Sequence, residues 1–126
     1  MCLDKLEKFE VEGDYGYKVF RRGFEDNCLY GADIAIDIPR SIDKWLRSKD
    51  IWYEHDTFIT TEWDKQPYPA GFHVFVTEEG AVIWAETRST DVVRKVQFRG
   101  IVATGIQGTR RVIVVSEIRI LPEREV

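Results

Sequence analysis

Apolar and polar residues alternate in short bursts along this chain, and most of the bursts read as strands. In GYKVFRR, Tyr17, Val19 and Arg21 alternate with Lys18, Phe20 and Arg22, the period of two expected of an extended segment. DIAIDI, residues 33–38, alternates strictly, with Ile34, Ile36 and Ile38 on one face, until Pro39 interrupts it. Phe72, Val74 and Val76 share one face of the next segment, and His73 and Phe75 share the other. Near the end, strands are expected over Val92–Phe98, Ile101–Thr104 and Val112–Leu121, with Gly100, Gly105 and Gly108 punctuating them. RVIVVS is apolar on both faces, which predicts a central strand.

One segment carries the helical period instead. Thr77 is placed to cap a helix, with Glu78 and Glu79 in the first turn, where the helix dipole favours negative charge. Ala81, Trp84, Ala85 and Arg88 then fall on one side at the i, i+3, i+4, i+7 spacing, which predicts a helix over about residues 78–89, although Gly80 weakens it. Ser41–Ser48 reads either as a short helix capped by Ser41 and packed through Ile42, Trp45 and Leu46, or as an extended segment. Between Lys49 and Ala70, the aromatics Trp52, Tyr53, Phe58, Trp63 and Tyr68 are interrupted by charges and two prolines, the pattern of a long ordered loop carrying a strand. Together these elements predict an α+β fold, an antiparallel-leaning sheet with one principal helix, and 126 residues form a single domain, 1–126.

Composition narrows the class. With 44% hydrophobic and 32% charged residues, the chain is that of an ordinary soluble globular protein. No apolar run approaches the roughly 18 residues of a membrane helix, so no membrane association is expected. MCLDKLEKFE has no apolar core of a signal peptide, and Cys2 and Cys28 lack metal or redox spacing. A cytoplasmic location with free thiols is the expectation, a disulfide the alternative. The net charge of −4 hides an asymmetry: residues 1–80 hold 10 Lys and Arg against 17 Asp and Glu, and residues 81–126 hold 8 against 5. Seven of those eight are arginines, whose planar fork suits phosphate or carboxylate. They are either solvated side chains on outer strand faces, an anion site, or an interface with the acidic half of a second subunit.

Most enzyme chemistries find no support. His55 and Asp56 adjoin, but His73 is 18 positions further on and no cysteine pattern joins them, so no metal is expected. GIQG, Gly105–Gly108, lacks the spacing and the following helix of a phosphate-binding loop. No nucleophile motif is present, and no carboxylate pair lies in an evidently apolar setting. No cofactor is implied, and an acidic chain with dispersed arginines does not predict nucleic-acid binding. What the sequence does offer is flat aromatic faces together with arginine forks, the two groups a nucleotide-like ligand uses. The candidate ligand-binding residues are His73, Phe75, Trp84, Arg88, Arg99, Arg110, Arg111 and Arg119. The aromatics among them would equally fill a small core, and a lone strand histidine is ordinarily a hydrogen-bonded core residue.

The order of YKVF at Tyr17–Phe20, GFHVF at Gly71–Phe75 and SEIRIL at Ser116–Leu121 resembles small phage and prophage proteins. Among these the chain is most similar to the Thoeris anti-defence family, which sequesters cyclic nucleotide immune signals. That resemblance implies a non-enzymatic binder acting in the host cytoplasm and a homo-oligomer with sites formed partly between subunits. It also implies an aromatic near the base, for which Phe75 is the choice, and Arg119 near phosphate. The expected function is therefore sequestration of a nucleotide-derived second messenger, a cyclic ADP-ribose isomer or a cyclic oligonucleotide. The alternatives are a protein-interaction module or inhibitor of a host enzyme, and a nucleotide-acting enzyme with an ADP-ribosyltransferase-like fold.

Overall fold

The segments with a period of two pair into an antiparallel sheet. The computed structural model describes residues 3–22, 29–31, 39–50, 58–85 and 91–122. In chain order the strands are β1 (Lys5–Leu6), β2 (Tyr15–Arg22), β3 (Leu29–Gly31), β4 (Pro39–Arg40), β5 (Trp45–Arg47), β6 (Phe58–Thr60), β7 (Pro67–Pro69) and β8 (Phe72–Phe75). The helix α1 (Glu78–Ala85) follows, then two long strands, β9 (Asp91–Gln107) and β10 (Arg110–Ile120). Among the described residues α1 is the only α-helix, so the fold is α+β with a mostly antiparallel sheet. DIAIDI, Cys2, Cys28, His55, Trp52 and Tyr53 lie outside the described residues.

The main sheet runs β1-β9-β10-β8-β2-β3-β4, with β5 on β10. β2 also pairs with β9, from Tyr15↔Gln97 to Arg21↔Asp91. The pairings β2–β9, β9–β10, β10–β8 and β8–β2 therefore close a circuit, so the sheet curls back on itself. β10 is flanked by β9 on one side and by β8 and β5 on the other, the central place its apolar run requires.

One expectation changes and one open alternative is decided. β9 does not stop at Gly100 or Gly105 but continues through both. The register with β10 slips by one residue between Val114 and Val115, a β-bulge that leaves Val102 without an opposite number. Gly100, at φ 74°, sits beside this bulge, where a Cβ would lie 2.0 Å from Ser116 Oγ. It bends the strand where other residues would strain or clash. Gly108, at φ 64°, opens the two-residue turn between β9 and β10, as a type II′ hairpin requires. Ser41–Ser48 takes the extended alternative: Trp45–Arg47 pairs with Arg119–Glu117, and a 3₁₀ turn follows at Ser48–Asp50. A helix there would have left the edge of β10 unpaired.

Helix α1 begins where Thr77 predicts it, with Thr77 Oγ1 accepting the Gly80 N–H at 3.1 Å. It is described as far as Ala85; residues 86–90, and Arg88 with them, lie outside the described residues. Ala81 is fully buried, and Trp84 and Ala85 pack beside it.

Two apolar clusters lie on the two faces of the sheet. The first gathers Phe20, Phe72, Val74, Val96, Phe98 and Ile113 with the end of β10, flanked by Phe9, Val11 and Leu46. The second gathers Val19, Phe75, Val112 and Val114 beneath α1, Tyr68 and Leu3. In β10 the first cluster takes Ile113 and Val115 but then Ile118 and Ile120, so the alternation changes phase beside the bulge. The segment between β6 and β7 is tied to the N-terminal segment, Glu62 and Trp63 donating to the carbonyls of Leu3 and Asp4.

Candidate functional site

The GFHVF strand faces inward on both sides. All four residues of β8 are buried, with Phe72 and Val74 in the first cluster and Phe75 in the second. His73 is fully buried, its Nε2 3.0 Å from the Tyr68 hydroxyl, which accepts the Leu3 N–H at 2.9 Å. The His73 carbonyl accepts Lys18 Nζ at 3.0 Å, and that ammonium lies 5.9 Å from the ring centres of both Phe20 and Phe72. Phe75 meets Trp84 at 6.4 Å between ring centres, tilted by 39°. These aromatics and His73 therefore hold the helix and the N-terminal segment against the sheet.

The arginines separate into three places. Arg110 reaches the first turn of α1, its guanidinium 2.8 Å from Glu79 Oε1. Arg111 lies over the Phe9 ring at 5.0 Å. Arg99 and Arg119 share the sheet face beyond α1, and here a set of groups does converge. Register alone aligns Tyr15, Gln97, Arg119 and Trp45 in one row across four strands, and Arg99, Glu117 and Arg47 in the next.

The rows are knitted by polar bonds. Arg99 lies 3.8 Å over the Trp45 ring, and its Nε donates to Glu117 at 2.6 Å. Arg119 donates through Nε and one terminal nitrogen to Gln97 Oε1, at 3.1 and 2.8 Å, and through the other to Asp43. Gln97 in turn donates to Asp14, and Lys95 sits 5.2 Å over Tyr15. The Arg99 hydrogen bond, helped by the charges of Arg99, Arg47 and Lys49, holds the Glu117 carboxyl below its ordinary range. The result is a solvent-facing platform with an aromatic at each end of one row, the Arg119 guanidinium between them and that of Arg99 in the adjoining row. Of the eight sequence candidates it contains Arg99 and Arg119.

Tyr15, Trp45, Lys95, Gln97 and Glu117 escape sequence reasoning, because cross-strand register brings them together. The one signal available was the extended reading of Ser41–Ser48, which separates Trp45 from Leu46 by face. Leu46 packs on the first cluster, and Trp45 lies on the platform.

A second concavity lies at the other end of β9. It is a cleft of about 470 Å³ walled by residues 6–8, β7 and residues 102–104. Among the described residues no cluster of three or more His, Cys, Asp or Glu side chains is placed to hold a metal, and no helix is long and apolar enough to cross a membrane. Comparison with protein-family models, with characterised proteins and with solved structures found no match, so geometry carries the functional reading.

Proposed function

We propose that the protein is a non-enzymatic binder that sequesters a nucleotide-derived signal, a cyclic ADP-ribose isomer or a cyclic oligonucleotide, on the aromatic–arginine platform. The observation that carries this reading is Arg99, stacked on Trp45 and gripped by Glu117, next to Arg119 in the adjoining row. Bases stack on exposed rings such as Tyr15, and phosphates take the forks of pre-placed guanidinium groups. An incoming phosphate shares Arg99 with Glu117 and Arg119 with Asp43, so the carboxylates hold the cations in position and are partly displaced on binding. The platform is open, and nanomolar retention needs a ligand enclosed on both sides. A second copy of the chain closing over this face completes the site, which gives the expected homo-oligomer a physical purpose.

Thermal unfolding against a panel of cyclic ADP-ribose isomers and cyclic di- and trinucleotides tests the reading. A ligand at a thousandfold excess over Kd adds about 4 kcal/mol, a melting shift on the order of 10 °C for a domain of this size. One large responder, recovered chemically unchanged, is expected. A flat response across the panel overturns the proposal in favour of a protein-interaction module, and an altered ligand overturns it in favour of an enzyme.

A further inference from the structure

The cleft at the far end of β9 has an unusual wall. β6 and β7 form a two-stranded ladder, Phe58↔Pro69, Ile59↔Tyr68 and Thr60↔Pro67. Thr61 N–H donates to the Gln66 carbonyl at 3.0 Å, which makes 61 and 66 a hydrogen-bonded pair. Counting in twos, Ile59 and Tyr68 form the next such pair, and Pro67 and Pro69 occupy the alternate positions. Their backbones therefore turn away from β6, to the edge of β7 that no strand among the described residues pairs with. Proline has no N–H, so that edge displays the carbonyls of residues 67 and 69 and no donor at either position. A β-strand cannot add here, because its own carbonyls would meet proline rings.

The rest of the cleft repeats the bias. Glu7 is half-buried in it and forms no ion pair among the described residues. The side-chain hydroxyl of Thr104 is already donated to the Glu7 carbonyl. Leu6 and Val102 add apolar surface, and both remain more than a third exposed. Val102 is the extra residue of the β-bulge, so the irregularity in β9 supplies part of the cleft wall. Lys8, the one cation on the wall among the described residues, is exposed.

We propose that this cleft binds the long basic side chain, arginine or lysine, of an extended peptide segment of a partner protein. Its aliphatic stem lies along Pro67, Pro69, Leu6 and Val102, and its charged head meets Glu7 and the acceptor-only edge of β7. The site is separate from the platform and does not depend on what binds there.

Peptide titration monitored by backbone NMR tests it on the intact chain, with Ac-Ala-Leu-Arg-Leu-Ala-amide as the probe and its norleucine and glutamate counterparts as controls. The arginine peptide is expected to shift the Leu6, Tyr68, Ala103 and Thr104 amides saturably. The norleucine peptide should bind at least several-fold more weakly, and the glutamate peptide not at all. Glu7→Gln should weaken the arginine peptide about tenfold. Val102→Lys, at an exposed position, should abolish binding with the melting temperature preserved. Equal responses to arginine and norleucine, shifts centred elsewhere, retention of binding in Val102→Lys, or no response at millimolar peptide would each overturn the proposal.

Discussion

At the scale of single residues, the aromatic and basic side chains divide by whether they face the core or the platform, and substitutions should separate the two groups. Phe75 is buried against Trp84 and Val112, so Phe75→Ala should lose about 3–5 kcal/mol by denaturant unfolding. Tyr68→Phe removes the hydroxyl that serves both the Leu3 N–H and His73, and about 1–3 kcal/mol should go with it in the same measurement. Arg119→Ala touches only exposed or half-exposed partners, so its melting point should stay within a few degrees while any ligand-induced shift disappears. Glu117 provides a pH test. The Arg99 hydrogen bond holds its carboxyl below the ordinary glutamate range, so the stability it contributes is present above that range and is lost as pH falls through the folded pKa. In Arg99→Gln the Glu117 carboxyl should titrate at higher pH by NMR; an unchanged midpoint would show that Arg99 does not hold it.

At the scale of elements, local signals work where one short-range interaction decides. Thr77 and its two glutamates announce the start of α1, and Thr77→Ala should cost about 1 kcal/mol. Alternation identifies β2 and β8 and which of their residues share a face, whereas β10 is marked by an unbroken apolar run and changes phase beside the bulge. It misleads at Gly100, where a glycine that reads as a break is a bend inside a 17-residue strand. Gly100→Ala should destabilise both by its positive φ and by collision with Ser116, and adding Ser116→Gly should recover only the second part. An additive double variant would show that the contact is unimportant. Ser41–Ser48 stays ambiguous because eight residues fit either period, and pairing with β10 decides it.

For the whole molecule, the platform is a product of the fold, and assembly over it is the property to measure. Sedimentation at micromolar concentration should show a dimer or larger species, and Arg99→Glu, which sets like charge against Glu117, should shift it toward monomer. A wild-type chain that stays monomeric, with and without a responding nucleotide, would remove the second copy from the site. By itself the sequence determined the fold class, the capped helix, the central strand and the absence of familiar catalytic motifs. Each of these depends on interactions within a few positions of chain, and a single sequence displays those directly. Only the tertiary structure decided that His73 and Phe75 belong to the core, that Arg110 and Arg111 point to different neighbours, and that Trp45, Arg99, Arg119 and Tyr15 form one surface. The physical reason is register. Residues 15, 45, 97 and 119 become neighbours only when four strands pair with specific offsets, and those offsets are set by a bulge at Val102 and by the burial of two opposite sheet faces at once.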